Sequence, residues 1–469
     1  MNTIEVLRKL SSETKAEVYF VGGYVRDYLR NRKNHDLDIV VRNLSPRNIK
    51  RFLRKYGELK EIVLSQTSDD IMVKILLFKA FDDTQDAQIS LPKRSKRCIP
   101  DSRNTLRQDV RFRDFKLNSM YLPIDYKSKD DLIDYVDGRK DIFNRVITAN
   151  GSPKERIKES PIRMLRAISI ATRLNYNVDT ELLEAIEENA TLIKKCPIEA
   201  IRTEFDDILL SRKPSKYLKL LLKTGLLKII APEVHSCVGV KQDLRYHKYD
   251  VFTHLIYTVD NCDKNLVLRL AGLLHDIGKY ETKRITRIDG ERKITFHKHE
   301  VVSGRLATEF LSRMKYDKET SKSVLLLVRQ HMYHYTREWT DPALRKFIRK
   351  VDIEPYIKDN KVSEFPLFKL RAAERLGNGL KTDAITQRQK DFEDRLIRVY
   401  EESTGLNISD LKINGTIIMD TFNIKPGVEV GRLLQFLLEK VLEEPKVNNE
   451  LDLLKLATEY LHSKRKENN

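Results

Sequence analysis

Two hydrophobic periods divide the chain. From the N-terminus to about residue 145, an amphipathic opening, IEVLRKL, is followed by short apolar or alternating runs: VYFVGG from Val18, DIVV from Asp38, IMVKILLF from Ile71 and AQISL from Ala87. Such runs predict strands, and the opening segment predicts a helix. From Glu155 to about Lys228 apolar residues recur three and four apart, as in KESPIRMLRAISIATRL, and predict helices. There Glu159, Arg163 and Arg166 fall at i, i+4 and i+7, so one helical face is expected to carry all three. PSKYLKLLLKTGLLKIIAPEV predicts a further helix pair punctuated by Gly225 and Pro232. VLRLAGLLHDIGK predicts an amphipathic helix ending in His275-Asp276, with Gly278 as its stop. RITRIDGERKITFH predicts a hairpin around Asp289-Gly290. From Glu364 the pattern is helical again, closing in INGTIIMDTFNIKPGVEVGRLLQFLLEKVL as a compact terminal unit. Two stretches predict irregular chain. Between Lys93 and Arg113 eight Lys or Arg meet two Asp with no apolar period, which predicts a flexible basic loop. Asp137-Gly138 predicts the turn that closes the sheet region.

Composition adds a partner. The 469 residues are enough for roughly two to four domains. Charged residues make up 33%, and the formal net charge is +18. That surplus points to an anionic partner, with nucleic acid first. The four cysteines, Cys98, Cys196, Cys237 and Cys262, are far apart and form no C-x-x-C, which predicts free thiols in a reducing, cytoplasmic setting. No apolar run reaches membrane-spanning length, the first residues have no signal-peptide core, and the final SKRKENN predicts a frayed tail.

The chemistry concentrates in FVGGYVRDYLRNRKNHDLDIVV, Phe20 to Val41. Asp36 and Asp38, two apart on a strand, point to the same face and repel unless a cation lies between them. Oxygen donors of that kind suit Mg²⁺, which also holds triphosphate oxygens. Gly22 and Gly23 lack Cβ and let backbone N–H groups approach phosphates, with Arg26 on the first helical turn beside them. A solvated strand end is the plain alternative for the two Asp. In DVRFRDFKLNSMYLPI, Arg113, Asp114 and Asn118 bunch polar groups in an apolar segment. They either fix a loop or contact ribose and triphosphate. Arg163 and Arg166 either clamp phosphates and read base edges or form a surface pair with Glu159. Eight of ten histidines (His235, His247, His254, His275, His297, His299, His331 and His334) lie within one hundred residues. A uniform spread would place about two there. His254, His275, Asp276, His299 and His331 are therefore candidates to converge on a metal.

These segments resemble a known family. GGYVRD…HDLDIVV, FRDFKLNSM, DYVDGRKDI and ESPIRMLRAISIATRLNYNVD match, in order, the head and neck motifs of bacterial tRNA nucleotidyltransferases and poly(A) polymerases. DLRYHKYDVFTH, LAGLLHDIGK, HKHE and LVRQHM look like the HD domain that many members carry, and INGTIIMDTFNIKPGVEVGRLL is similar to the family's C-terminal unit. The resemblance implies an α+β, polymerase beta-like nucleotidyltransferase head over residues 1–148. An all-α neck over 149–235, an HD domain over 236–385 and a helical tail over 386–469 would follow. It implies Mg²⁺ on catalytic Asp36 and Asp38, and a triphosphate held by Gly22, Gly23 and Arg26. Arg113, Asp114 and Asn118 would contact nucleotide, and Arg163 and Arg166 the incoming base and phosphates. In the HD part it implies a divalent transition metal on His254, His275 and Asp276, with His299 and His331 as second-site ligands and Glu374 where the family's closing Asp stands.

The resemblance has gaps. Ser160 replaces the family's base-reading Asp, which puts the choice between C and A in question. Gln88 replaces an acidic residue, Ala200 an arginine, and only Arg113 remains of an arginine pair. The implied activity is template-independent addition of CCA to a tRNA 3′ end from CTP and ATP. A poly(A) polymerase or partial C- or A-adding enzyme, an HD phosphohydrolase whose head only grips RNA, and a non-catalytic RNA-binding protein are the rivals.

Overall fold

The computed structural model describes residues 1–33, 36–65, 72–93, 101–288, 291–336, 338–403 and 407–467. A six-stranded sheet organises the N-terminal part. Its strands are β1 (Glu17–Val21), β2 (Leu37–Arg42), β3 (Gly57–Ser65), β4 (Met72–Ala80), β5 (Ala87–Ser90) and β6 (Tyr121–Pro123), in the order β3-β4-β5-β2-β1-β6. Only β2 and β5 run parallel, with Asp38 opposite Gln88. The helices Thr3–Glu13 and Pro46–Leu53 cover one face, and Val6, Leu7, Leu10, Ile49 and Leu53 are fully buried against the strand residues Phe20, Ile39, Val41 and Phe78. Two strands escape the hydrophobic pattern. In β3, GELKEIVLS, charges alternate with apolar residues at a sheet edge, and β6 has three residues, too few for a period.

Beyond the sheet the chain is helical except for the short parallel pair Val146–Ile147 with Asn177–Val178 and the hairpin Lys283–Ile288 with Glu291–Phe296. The tip at Asp289-Gly290 lies outside the described residues. The second core runs as one connected cluster from Phe115 to Ala457, so the helices from Pro153 onward pack on shared apolar surface. One ion pair and one hydrogen bond join the helices before residue 236 to the segment that follows His299: Arg313 grips Glu233 through both guanidinium ends, at 2.6 and 2.9 Å, and the Tyr316 hydroxyl donates to Asp206.

Four local expectations are corrected. The stretch KESPIRMLRAISIATRL is not one helix. It breaks into Pro153–Glu159 and Arg163–Leu174, because Pro161 excludes the helical conformation for Ser160, which is extended at φ −156°. The basic segment before Arg113 is not a flexible loop from Asp101 onward. A Thr105–Gln108 capping box starts the turn Leu106–Asp109, and the fully buried Asp109 accepts from Lys93 N–H (2.7 Å), Arg113 (2.8 Å) and Tyr121 (2.6 Å). Residues 94–100 lie outside the described residues. Asp137-Gly138 opens the helix Gly138–Asn144 rather than a simple turn. Gly138 is needed there because a Cβ would come within 2.4 Å of the Lys116 carbonyl oxygen. The helix before His275 ends at Leu274, and Gly278 serves a close approach: a Cβ there would meet the His299 carbonyl at 2.5 Å.

Among the described residues no helix is long and apolar enough to cross a membrane. Cys196, Cys237 and Cys262 are buried free thiols, and burial raises Cys196 to about 11 and Cys262 to about 12. Cys98 lies outside the described residues.

Candidate active site and metal centre

The C-terminal end of β1, the start of β2 and the segment after Phe112 meet at a cleft of about 260 Å³. Its walls carry Gly22, Gly23, Asp38, Arg113, Asp114, Asn118 and Arg166, with Gln88 and Ser90 from β5. Gly22 has φ +68°, and a Cβ there would stand 2.7 Å from Asp38 Oδ2. Both facts demand glycine. The turn therefore seats the carboxylate. Burial raises the Asp38 carboxyl above its usual value and the Asp36 charge adds to the rise, while Arg113 and the Gly23 N–H offset part of it. Asp36 is exposed, one residue before β2, and is not part of the cleft wall.

The other nucleotide-site candidates divide into two groups. Arg113, Asp114, Asn118 and Arg166 are brought together on the cleft. Arg26 stands just behind it, bonded to Asn118 at 3.1 Å and to Asp27 at 2.7 Å. Arg163 does not reach the cleft wall. Its guanidinium is held by the Arg156 carbonyl (2.9 Å), Glu159 (3.1 Å) and the Phe112 carbonyl (3.1 Å). Its influence is electrostatic: burial would raise the Asp114 carboxyl, yet Arg166 and Arg163 hold it below the ordinary value. Arg166 lies between Asp114 (3.5 Å) in the head and Glu204 (3.2 Å) on the neck helix Ile198–Leu209. The buried Glu204 also accepts from Ser169 at 2.5 Å. Nothing in the spacing of Glu204 from Arg166 marks this pairing in the sequence. Ser160 is buried beside these arginines at the helix break.

A second acidic centre lies in the HD part. Asp276, 2% exposed, faces four imidazole Nε2 atoms. Its Oδ2 is 3.5 Å from His254 and 3.3 Å from His275, and its Oδ1 is 3.0 Å from His299 and 3.5 Å from His331. Two triads capable of holding a metal thus share one carboxylate. Three of the rings are oriented by backbone. His275, His299 and His331 each place Nδ1 within 2.7 to 2.9 Å of the carbonyl three residues earlier. Since a carbonyl only accepts, Nδ1 carries a proton in each of these rings, and Nε2 is the atom turned to Asp276. Nε2 of His299 and of His331 has no hydrogen-bond partner although buried, and the Nε2 atoms of His254 and His275 stand 3.2 Å apart. A cation among these nitrogens and the Asp276 carboxylate would give the orphaned Nε2 atoms a partner, so the donor set fits a divalent metal.

Lys279 supplies an internal positive charge, 2.6 Å from Asp276 Oδ2 and 2.9 Å from the Gln242 side-chain oxygen. Burial would raise the Asp276 carboxyl, but Lys279 and His275 hold it well below its usual range. Burial, with His275 beside it, pushes His254 down to about 3. Glu374 belongs to neither triad. It is bonded to Arg371 at 3.1 Å, and burial is outweighed by Arg371 and His275, which bring it down to about 2. Lys279 and Gln242 were not among the sequence candidates; the lysine directly follows HDIG, but its inward aim depends on the fold.

Residues 18–148 match the poly A polymerase head domain family, 175–238 the family described as "Probable RNA and SrmB- binding site of polymerase A", and 246–391 the HD domain family. A CCA-adding enzyme of Lactococcus lactis subsp. cremoris (strain MG1363) is 27% identical over 456 residues, covering 96% of this chain and 94% of that protein. An A-adding tRNA nucleotidyltransferase of Deinococcus radiodurans is 26% identical over 345 residues, 71% of this chain and 75% of that one. In fold, the chain is similar to the crystal structure of the Bacillus stearothermophilus CCA-adding enzyme in complex with CTP. The TM-score is 0.66 at 18% identity, over 99% of this chain and 98% of that one.

Proposed function

This chain belongs to the tRNA nucleotidyltransferase and poly(A) polymerase family, with an HD domain behind its polymerase head, and on that premise we propose that it adds CCA to the 3′ end of tRNA from CTP and ATP. The observation that carries the reading is the seating of Asp38. A glycine with no room for Cβ places this carboxylate on a cleft that also carries Arg113, Asp114, Asn118 and Arg166. Asp36 and Asp38 are the oxygen pair that would hold Mg²⁺, and the raised Asp38 carboxyl fits a site completed by a cation. Bound there, Mg²⁺ makes the primer 3′-hydroxyl more acidic and offsets charge developing at the α-phosphorus.

The chain's own groups do the rest. Arg26 and Asn118, bonded to each other, orient donors toward the leaving pyrophosphate. Arg113 is fixed by Asp109 and Tyr121, so its charge faces the cleft without rotamer freedom. Arg166 and Asp114 form the edge of the cleft nearest the neck, where a nucleobase would be met. Arg163 and Ser160 act on that edge from behind, and Gly22 and Gly23 keep the floor open. The neck and tail would hold tRNA by its phosphates and shape. The working division is head 1–148, neck 149–235, HD 236–385 and tail 386–469. The test is end-sequencing of a tRNA lacking CCA after incubation with all four triphosphates. Addition of C, C and A supports the reading, addition of A alone favours the partial A-adding alternative, and no addition refutes it.

The Asp276 centre favours a second activity in the same chain. His254, His275, His299 and His331 with Asp276 would hold one or two divalent transition-metal ions, with Glu374 acting through Arg371. A metal there activates water for hydrolysis of phosphate esters or cyclic phosphates. Alanine at Asp36, compared with asparagine at Asp276, tells which centre turns over each substrate.

A further inference from the structure

The loop Lys241–Asp250 and the hairpin Lys283–Ile288/Glu291–Phe296 enclose a groove of about 570 Å³, with Ile294 on its hairpin wall. Large apolar side chains are uncovered here: Leu244 in the lining is 78% exposed, and Tyr246 on the same loop and Ile285 on the hairpin are 62% and 50% exposed. Three exposed cations, Lys241, Arg245 and Lys248, belong to its lining, and Arg284, Arg287 and Lys293 are exposed elsewhere on the hairpin. The loop alternates cation and ring. Arg245 lies 5.8 Å from the centre of the Tyr246 ring, and Lys248 lies 5.7 Å from that of Tyr249.

The two acids of the loop are already satisfied within the fold. Asp243 takes both arms of Arg245, at 2.9 and 2.6 Å, and Arg245 pulls it down to about 2. Asp250 caps the next helix through Thr253 N–H and receives Gly239 N–H. Lys241 and Lys248 remain as exposed positive charge beside the uncovered Tyr246 ring. The floor leads inward: Gln242 joins the Tyr249 carbonyl to Lys279, and Lys279 joins Asp276.

An acidic peptide satisfies cations but leaves the rings bare, and a duplex hides its bases from them. A single strand offers both a stacking face and a phosphate at each step. We propose that this groove is a second nucleic-acid contact, taking a short single-stranded RNA segment, outside both the head cleft and residues 175–238. The inference does not depend on which acidic centre is catalytically active.

The test uses the full chain and a fluorescently labelled ten-nucleotide oligoribonucleotide, followed by anisotropy at several salt concentrations. The charge-reversed pair Lys241→Glu with Lys248→Glu is expected to weaken binding at least tenfold and to flatten the salt dependence by about one logarithmic unit per decade of salt. Tyr246→Ala is expected to weaken it at least fivefold. All three residues are exposed, so melting temperature and CTP incorporation into tRNA are expected to stay unchanged. Crosslinks from 4-thiouridine in the oligonucleotide should map to residues 241–249 or 283–296. Affinity within twofold of the parent in both variants, crosslinks confined to the head and neck, or equal competition by poly-glutamate would overturn the proposal. The last result would make the groove a docking site for acidic protein instead.

Discussion

Asp38 and Asp276 face one electrostatic problem in opposite settings. Asp38 stands on a strand at the wall of a cleft, with another carboxylate two residues back and Gly22 and Arg113 beside it in space. Asp276 is enclosed by four imidazoles and carries its own counter-ion in Lys279. The head leaves its charge to be balanced from outside, which suits a hard cation arriving with a polyphosphate. The HD centre balances most of its charge internally and turns ring nitrogens to a fixed point, which suits a resident, softer metal. Enclosure and donor type, rather than the presence of an acid, separate a site that exchanges large anionic substrates from one that keeps an ion.

Substitutions can break or sharpen that contrast. The largest effect is expected from Asp38→Ala: nucleotide incorporation falls by about a thousandfold or more, while tRNA retention on filters and the metal content of the HD centre stay as in the parent. Loss of HD metal in this variant would mean the two centres are not independent. Gly22→Ala puts a Cβ against Asp38 at a left-handed φ. Incorporation is expected to drop roughly tenfold to a hundredfold, with about 1–2 kcal/mol lost in thermal unfolding. Unchanged turnover would show that the seating of Asp38 is not what matters. His331→Ala should lower the bound transition metal measured by mass spectrometry by about half while sparing incorporation within about twofold; a collapse of incorporation would join the two centres. Ser160→Asp should shift the ratio of C to A incorporated by about three- to tenfold, read by competition between labelled CTP and ATP, and an unchanged ratio would remove Ser160 from base choice.

The smallest effect tests the joint that holds the HD domain to the helices of residues 175–238. Burial raises the Asp206 carboxyl to about 6, with the Tyr316 hydroxyl pulling the other way. The folded chain therefore keeps this proton up to about pH 6, whereas the unfolded chain loses it near pH 4. Stability falls as pH rises through that window, and the deficit persists above it. Asp206→Asn should gain roughly 1 kcal/mol at pH 8, after allowance for partial exposure, and nothing at pH 4. A melting temperature that does not depend on pH relative to the parent would rule out Asp206 as a strained joint.

The sequence by itself determined what spacing along the covalent chain can determine. Alternation placed β1, β2 and β5, three-and-four spacing placed most helices, and the adjacency of Gly22 and Asp38 to paired apolar runs located the cleft. The density of histidines located the second centre. Even the break at Ser160 was written in the chain, as the proline that follows it. Tertiary structure alone decided which partners those side chains found. Arg166 meets Glu204 across 38 positions, and Arg313 meets Glu233 across 80. The same packing turned Arg163 from the cleft, used Asp109 to order a basic segment, and made one carboxylate common to two histidine pairs. Local period reports backbone conformation, which is set by near neighbours. Charge pairing and ligand geometry depend on where separate elements are brought to rest by the burial of apolar surface, and no pattern within a single element encodes that.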